Sequence, residues 1–137
     1  MNPEQATIRA FVVRRLQGLY LALLSDRNGR ERFVKRLLSG RDIDPGAIVQ
    51  IPDDESEPTE IGDRLRKLGA HDDCHVIAAD AKLDGREFTL DDVLGKVVGK
   101  GKAAFVSCVP GRLGYFEGAD GERFVLRSEG HGRKKQL

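Results

Sequence analysis

The sequence predicts an α+β fold: an N-terminal helical hairpin, further helices packed on one face of a small, mainly antiparallel sheet, and a three-stranded meander closing that sheet. Three observations carry this. Apolar residues recur at helical spacing near the N-terminus, short capped apolar stretches occupy the middle, and the last third alternates in strand-like runs separated by glycine-containing turns.

The helical signal is strongest over residues 8–24. Ile8, Phe11, Val12, Leu16, Leu19, Tyr20, Leu23 and Leu24 follow a 3.6-residue period and predict one amphipathic helix, entered through Pro3. Ser25 to Gly29 breaks it. Asn28, with Glu31 three residues on, predicts the cap of a second helix over 30–38, whose Phe33, Val34, Leu37 and Leu38 share one face. Ser39-Gly40 ends that helix. Residues 41–58 read as loop, with an Asp44-Pro45-Gly46 turn, a short extended stretch at 47–51, and an acidic run between Pro52 and Pro58 that is the least ordered internal segment expected.

Thr59 predicts the cap of a third helix, ending before Gly69, and 74–79 predicts a strand centred on Val76 and Ile77. Thr89 with Asp92 predicts the cap of a fourth helix running to Val98, flanked by the staple pair Phe88 and Val93. Strands at 103–109, 113–117 and 123–127, joined through Pro110-Gly111 and Gly118-Ala119-Asp120-Gly121, complete the meander. The expected organisation is a single domain over 1–127, with one face of the sheet partly solvated, and a flexible basic tail over 128–137.

The chain has 137 residues, of which 39% are hydrophobic and 33% charged, and no tryptophan. A chain of this length buries roughly 65–70% of its unfolded surface, so it needs no disulfide or metal to fold. No apolar run approaches the ~20 residues that span a bilayer, and no small-residue cleavage site follows a hydrophobic stretch, so neither a membrane span nor a signal peptide is expected. The two cysteines, Cys74 and Cys108, suit reduced thiols in a cytoplasmic setting, with a single bridge as the alternative should their strands be neighbours.

Charge is uneven. Residues 1–41 hold nine Lys/Arg against three Asp/Glu, residues 42–92 hold five against fifteen, and residues 93–137 hold nine against four, within a net charge of +1. Two consequences are open: the blocks pair internally and mix on one surface, which is the expectation, or they build a basic face for an anionic partner.

Motifs for chemistry are poorly formed. His71, Cys74 and His75 lie close in sequence, but adjacent strand residues face opposite ways and the set lacks metal-site spacing, so no metal is expected. Cys108 with Arg112 has too short a spacing for a phosphate loop and leads into a strand. Gly99-Lys100-Gly101-Lys102 follows a helix where a nucleotide loop would precede one. Asp80, Asp84, Glu87, Asp91 and Asp92 cluster, though capping and turns explain Asp84, Asp91 and Asp92. The N-terminal cations remain: Arg14, Arg15, Arg27, Arg30, Lys35 and Arg36 lie off the apolar stripes or in the connecting loop, where they suit phosphate or carboxylate contact.

The functional expectation is therefore a non-catalytic binding or regulatory domain without cofactor. It would contact protein, a second copy of itself, or nucleic acid through those six basic residues, and no membrane. The alternative is a small hydrolase or metal-dependent nuclease built on Asp80, Asp84 and Glu87, or a hydrolase using Cys108.

Overall fold

The computed structural model describes residues 2–128; the basic tail expected over 128–137 lies, from Glu129 onward, outside the described residues. Helix α1, Pro3–Phe11, opens with Asn2 as its cap. The Asn2 side chain accepts from the Gln5 N–H at 2.8 Å, Gln5 Oε1 accepts from the Asn2 N–H at 3.2 Å, and Pro3 takes the first helical position.

The single helix expected over 8–24 is two. Val12 and Val13 are extended, a short 3-10 turn spans Arg14–Leu16, and α2 runs Gln17–Ser25. A tertiary pairing makes the break. Val12 bridges Ile43, Val13 N–H donates to Asp42 O at 2.9 Å, and Asp44 N–H donates to Phe11 O at 2.7 Å. Gln17 Nε2 donates to the carbonyls of Arg9 and Val12, so the end of α1 loses no partners by stopping. The apolar period continues in the sequence across the break and so does not record it, but past the break Leu16 and Leu24 are only partly buried and Leu19 is exposed.

Helix α3, Arg30–Leu38, is capped by Gly29 and not by Asn28, whose N–H instead closes a turn on Asp26 Oδ1 at 2.9 Å. A Cβ at position 29 would lie 2.2 Å from the Leu23 carbonyl oxygen, so the α2–α3 corner closes only on glycine. Helix α4, Pro58–Lys67, starts one residue before the expected cap Thr59. Glu57 holds the cap position, its N–H donating to Glu60 Oε1 at 3.2 Å, and Pro58 begins the helix. The acidic run before it carries a 3-10 turn, Asp53–Glu55, in which Glu55 pairs with Arg64.

Six strands form one fully antiparallel sheet: β1 (Ile48–Gln50), β2 (Asp73–Ala78), β3 (Glu87–Thr89), β4 (Ala104–Val109), β5 (Leu113–Glu117) and β6 (Arg123–Arg127), in the order β1-β6-β5-β4-β2-β3. The meander β4-β5-β6 is as the sequence predicts. Strand β3 is an addition: Phe88, expected only as a staple residue, pairs opposite Cys74. Thr89 then caps α5, Leu90–Val97, its side chain accepting from Asp92 N–H at 3.3 Å, as expected.

Both faces of the sheet are covered, where a partly solvated second face was expected. One face sends Ile77, Phe105, Phe116, Phe124 and Leu126 into a core with Ile8, Phe11, Tyr20, Phe33 and Leu37 of α1–α3. The other sends Val76, Val106, Cys108, Tyr115 and Val125 into a core with Ile61 and Leu65 of α4 and Leu90, Val93 and Leu94 of α5. Strands buried on both sides read as nearly continuous apolar runs, and Ala104–Val109, interrupted by Ser107, and Leu113–Glu117, which ends on the buried Glu117, come close to this. Among the described residues no helix is long and apolar enough to cross a membrane.

Candidate functional site

The α1–α3 layer meets the sheet edge through a chain of charges drawn from five elements. Glu4 on α1 is 9% exposed. Arg30, at the start of α3, donates to both Glu4 oxygens at 2.5 and 2.9 Å and to both Asp84 oxygens at 2.8 and 2.9 Å. Asp84 Oδ1 also accepts from Ala78 N–H at 3.0 Å, fixing the β2–β3 loop. His75 on β2 lies between Glu4, 2.7 Å from Nε2, and Glu87 on β3, 2.6 Å from Nδ1.

Carboxylates accept and cannot donate, so an imidazole held by two of them carries a proton on each nitrogen. Consistent with this, the hydrogen bond His75 donates to Glu4 raises the His75 pKa above its usual value against the opposing cost of burial, with Glu87 adding to the rise. Burial alone would raise Glu4, but hydrogen bonds and charge from His75 and Arg30 outweigh it and hold the carboxyl at about 2. Both ends of Glu4, Arg30, His75 and Asp84 are engaged within the cluster, and Glu87 joins it through Oε2 while its side chain stays exposed. The cluster is a charged clasp that ties α1, α3 and the β2–β3 edge together.

Asp80 and the two thiols lie outside this cluster. Asp80 Oδ1 accepts from Lys82 N–H at 2.9 Å, and its other oxygen lies 4.0 Å from Lys102 Nζ. Cys74 and Cys108 face each other across β2 and β4, both buried and both free thiols. Contact with Cys74, together with burial, pushes the Cys108 thiol well up, which disfavours the nucleophilic thiolate. His75 points to the opposite face from Cys74, so the His/Cys set expected to be ill-spaced is indeed divided by the sheet. Glu117, missed by the sequence reading, is 1% exposed and fully engaged, accepting from Gly99 N–H, the Tyr115 hydroxyl and Arg123.

The basic residues divide. Arg30 leaves the candidate set, because its guanidinium is spent on Glu4 and Asp84. Arg36 is exposed but pairs with Asp42 at 3.0 Å and lies over the Tyr20 ring. Arg14, Arg15, Arg27 and Lys35 are exposed and form no ion pair among the described residues, and Arg9, Arg32 and Arg41 behave likewise. All belong to the α1–α3 layer or the turn that follows it. The opposite layer carries Asp53, Asp54, Glu55, Glu57, Glu60, Asp63, Asp91 and Asp92 against Arg64, Arg66, Lys67 and Lys96, with Glu55–Arg64, Asp91–Arg66 and Asp92–Lys96 paired. Net charge thus differs between the layers, basic outside α1–α3 and acidic outside α4–α5, while the blocks also pair internally as expected, through Arg30–Asp84, Arg36–Asp42 and Lys96–Asp92.

An open groove of about 530 Å³ runs between α3 and the segment 78–84. Val34, Leu38, Ala78 and Ala103 make its floor, exposed Ala79 and Ala81 its far wall, and the Arg30–Asp84 pair closes one end. Nothing in the sequence signals it, since its walls come from three separate stretches. No known protein family matches the chain, and neither a curated protein nor a solved structure is similar to it.

Proposed function

We propose that this chain is a non-catalytic binding domain whose α1–α3 layer engages an acidic protein surface. The observation that carries the reading is a set of exposed cations on this layer: Arg9, Arg14, Arg15, Arg27, Arg32, Lys35 and Arg41 form no ion pair among the described residues, while Asp84 is engaged and the two thiols are buried. Unpaired cations on one face favour association with an anionic partner and raise its on-rate.

A protein is favoured over nucleic acid for two reasons. The aromatic side chains of the layer, Phe11, Tyr20 and Phe33, are buried, which leaves no stacking platform for bases. The layer also exposes Leu19, 42% accessible, among its arginines, a mixture suited to a partly apolar partner. The hydrolase or nuclease alternative loses support because Asp84 and Glu87 are tied to Arg30 and His75.

The test uses a fluorescent Glu/Asp-rich peptide and a mixed-sequence duplex oligonucleotide, each titrated at low and high salt. The expected result is peptide binding that weakens with salt, falls by about tenfold or more in an Arg14→Glu/Arg15→Glu variant, and survives Asp53→Lys/Asp54→Lys on the opposite layer. Absence of any binding at low salt overturns the proposal. Tighter binding to the duplex than to the peptide replaces protein with nucleic acid.

A further inference from the structure

The groove beside α3 specifies how such a partner is held. We propose that it receives one bulky apolar side chain of an acidic peptide segment, whose flanking carboxylates lie along the Lys35 side of α3; this rests on the reading of the α1–α3 layer as an acidic-protein interface. The floor is apolar, and the size falls within the ~300–1,000 Å³ of ordinary ligand sites. The width comes from small residues: Ala78, Ala79, Ala81 and Ala103 line the side facing α3, so a larger side chain must come from elsewhere to fill it. A buried apolar anchor ringed by charged contacts is the usual anatomy of a hot spot.

Charge complementarity names the occupant. On α3, Lys35 stands on the groove's rim, and Arg32 stands less than a turn away on the exposed side of the same helix; both are unpaired among the described residues. The Arg30–Asp84 pair at one end is internally neutralised. Glu31 also stands on the rim, one turn before Lys35, so it repels acids at the Arg30 end and sets the direction of the segment.

The test compares a synthetic peptide of Glu and Asp around one central Phe with the same peptide carrying Ala there. The full chain is expected to prefer the Phe peptide by about tenfold, as burial of one aromatic anchor permits. Ala81→Phe and Ala79→Leu, both at exposed positions, narrow the groove and should abolish the preference while leaving the Ala peptide's affinity unchanged. Glu31→Lys should tighten both peptides. Equal affinity for the two peptides, or a preference that survives both groove variants, overturns the inference. If Lys35→Glu then still weakens both peptides, the acidic-partner reading stands without the groove. If neither peptide binds, both fail. Dodecanoate binding that is lost in Ala81→Phe, without a Phe-peptide preference, would assign the groove to a small amphipathic anion instead.

Discussion

The two helical layers cover the same sheet by different means. The α1–α3 layer meets a face built on aromatic rings: Phe11 lies 6.0 Å from Phe105, Tyr20 packs edge-on to Phe33 at 6.2 Å, and Phe116 stacks on Phe124 at 4.7 Å. The α4–α5 layer meets a face of mostly aliphatic residues with Tyr115 as its one fully buried ring. Outside, the first layer is basic and the second acidic. Alternation along β4, β5 and β6 makes the inner difference, since Phe105, Phe116 and Phe124 point one way and Val106, Tyr115 and Val125 the other. The clasp of Glu4, Arg30, His75, Asp84 and Glu87 ties only the basic layer to the sheet edge. One layer is thus held by shape and by specific charges, the other mainly by aliphatic burial.

Substitutions sharpen that contrast. The largest effect is expected at Gly114, on the aromatic side: a Cβ there would lie 2.4 Å from the Phe105 ring and 3.1 Å from the Val106 carbonyl oxygen. Gly114→Val should cost about 3 kcal/mol, read as a lowered midpoint in urea. A loss under about 1 kcal/mol would mean the aromatic face is loosely packed.

Next comes the clasp. Glu4→Gln leaves Arg30 and His75 facing a neutral amide and should cost about 2 kcal/mol, a value kept modest because Arg30 is partly solvated. Amide exchange should rise in α1 more than in α4. The pH profile separates this from lost packing. Glu4 has its folded pKa lowered from 4.5 to about 2, so its contribution is complete above 4.5 and disappears as pH falls towards 2. His75 has its folded pKa raised above 6.5, so its contribution is complete below 6.5 and disappears as pH rises through the raised value. Wild-type stability should therefore fall at both limits relative to Glu4→Gln, whose profile is flatter. Parallel curves would mean that charge in the clasp contributes nothing.

Smaller effects are expected on the acidic layer and the outer surfaces. Gly95 sits inside α5 with nothing near a built Cβ, so Gly95→Ala should stabilise by about 0.5–1 kcal/mol. Arg14→Glu/Arg15→Glu should change the unfolding free energy by less than about 0.5 kcal/mol while weakening acidic-peptide binding about tenfold or more. A large loss of stability there would mean that these arginines build the layer instead of serving a partner.

Local rules made much of the fold legible. Thr89 caps α5 because its side chain and Asp92 sit three residues apart, and the meander follows from alternating strands with glycine turns at their ends. The break after Phe11, the cap at Gly29 and the pairing of Phe88 escaped, because each depends on a partner elsewhere in the chain: Ile43, the Leu23 carbonyl and Cys74. The site was less legible still. Arg14, Arg15, Arg27 and Lys35 stand out from composition and helical phase alone, but Arg30 looked like their equal. Its partners are 26 and 54 residues away, and His75 is 71 residues from Glu4, so no local pattern records the clasp.

By itself, the sequence determined most of the helical and strand stretches, the Thr89 cap and the turns of the meander, and that charge comes in blocks. These are properties of neighbours within a few residues. Only the tertiary structure decided that both sheet faces are buried, that the α1–α3 layer keeps an excess of cations unpaired among the described residues, that Arg30 turns inward, and that four alanines leave a groove beside α3. Each of those depends on which distant surfaces meet, and packing, not local preference, makes that choice.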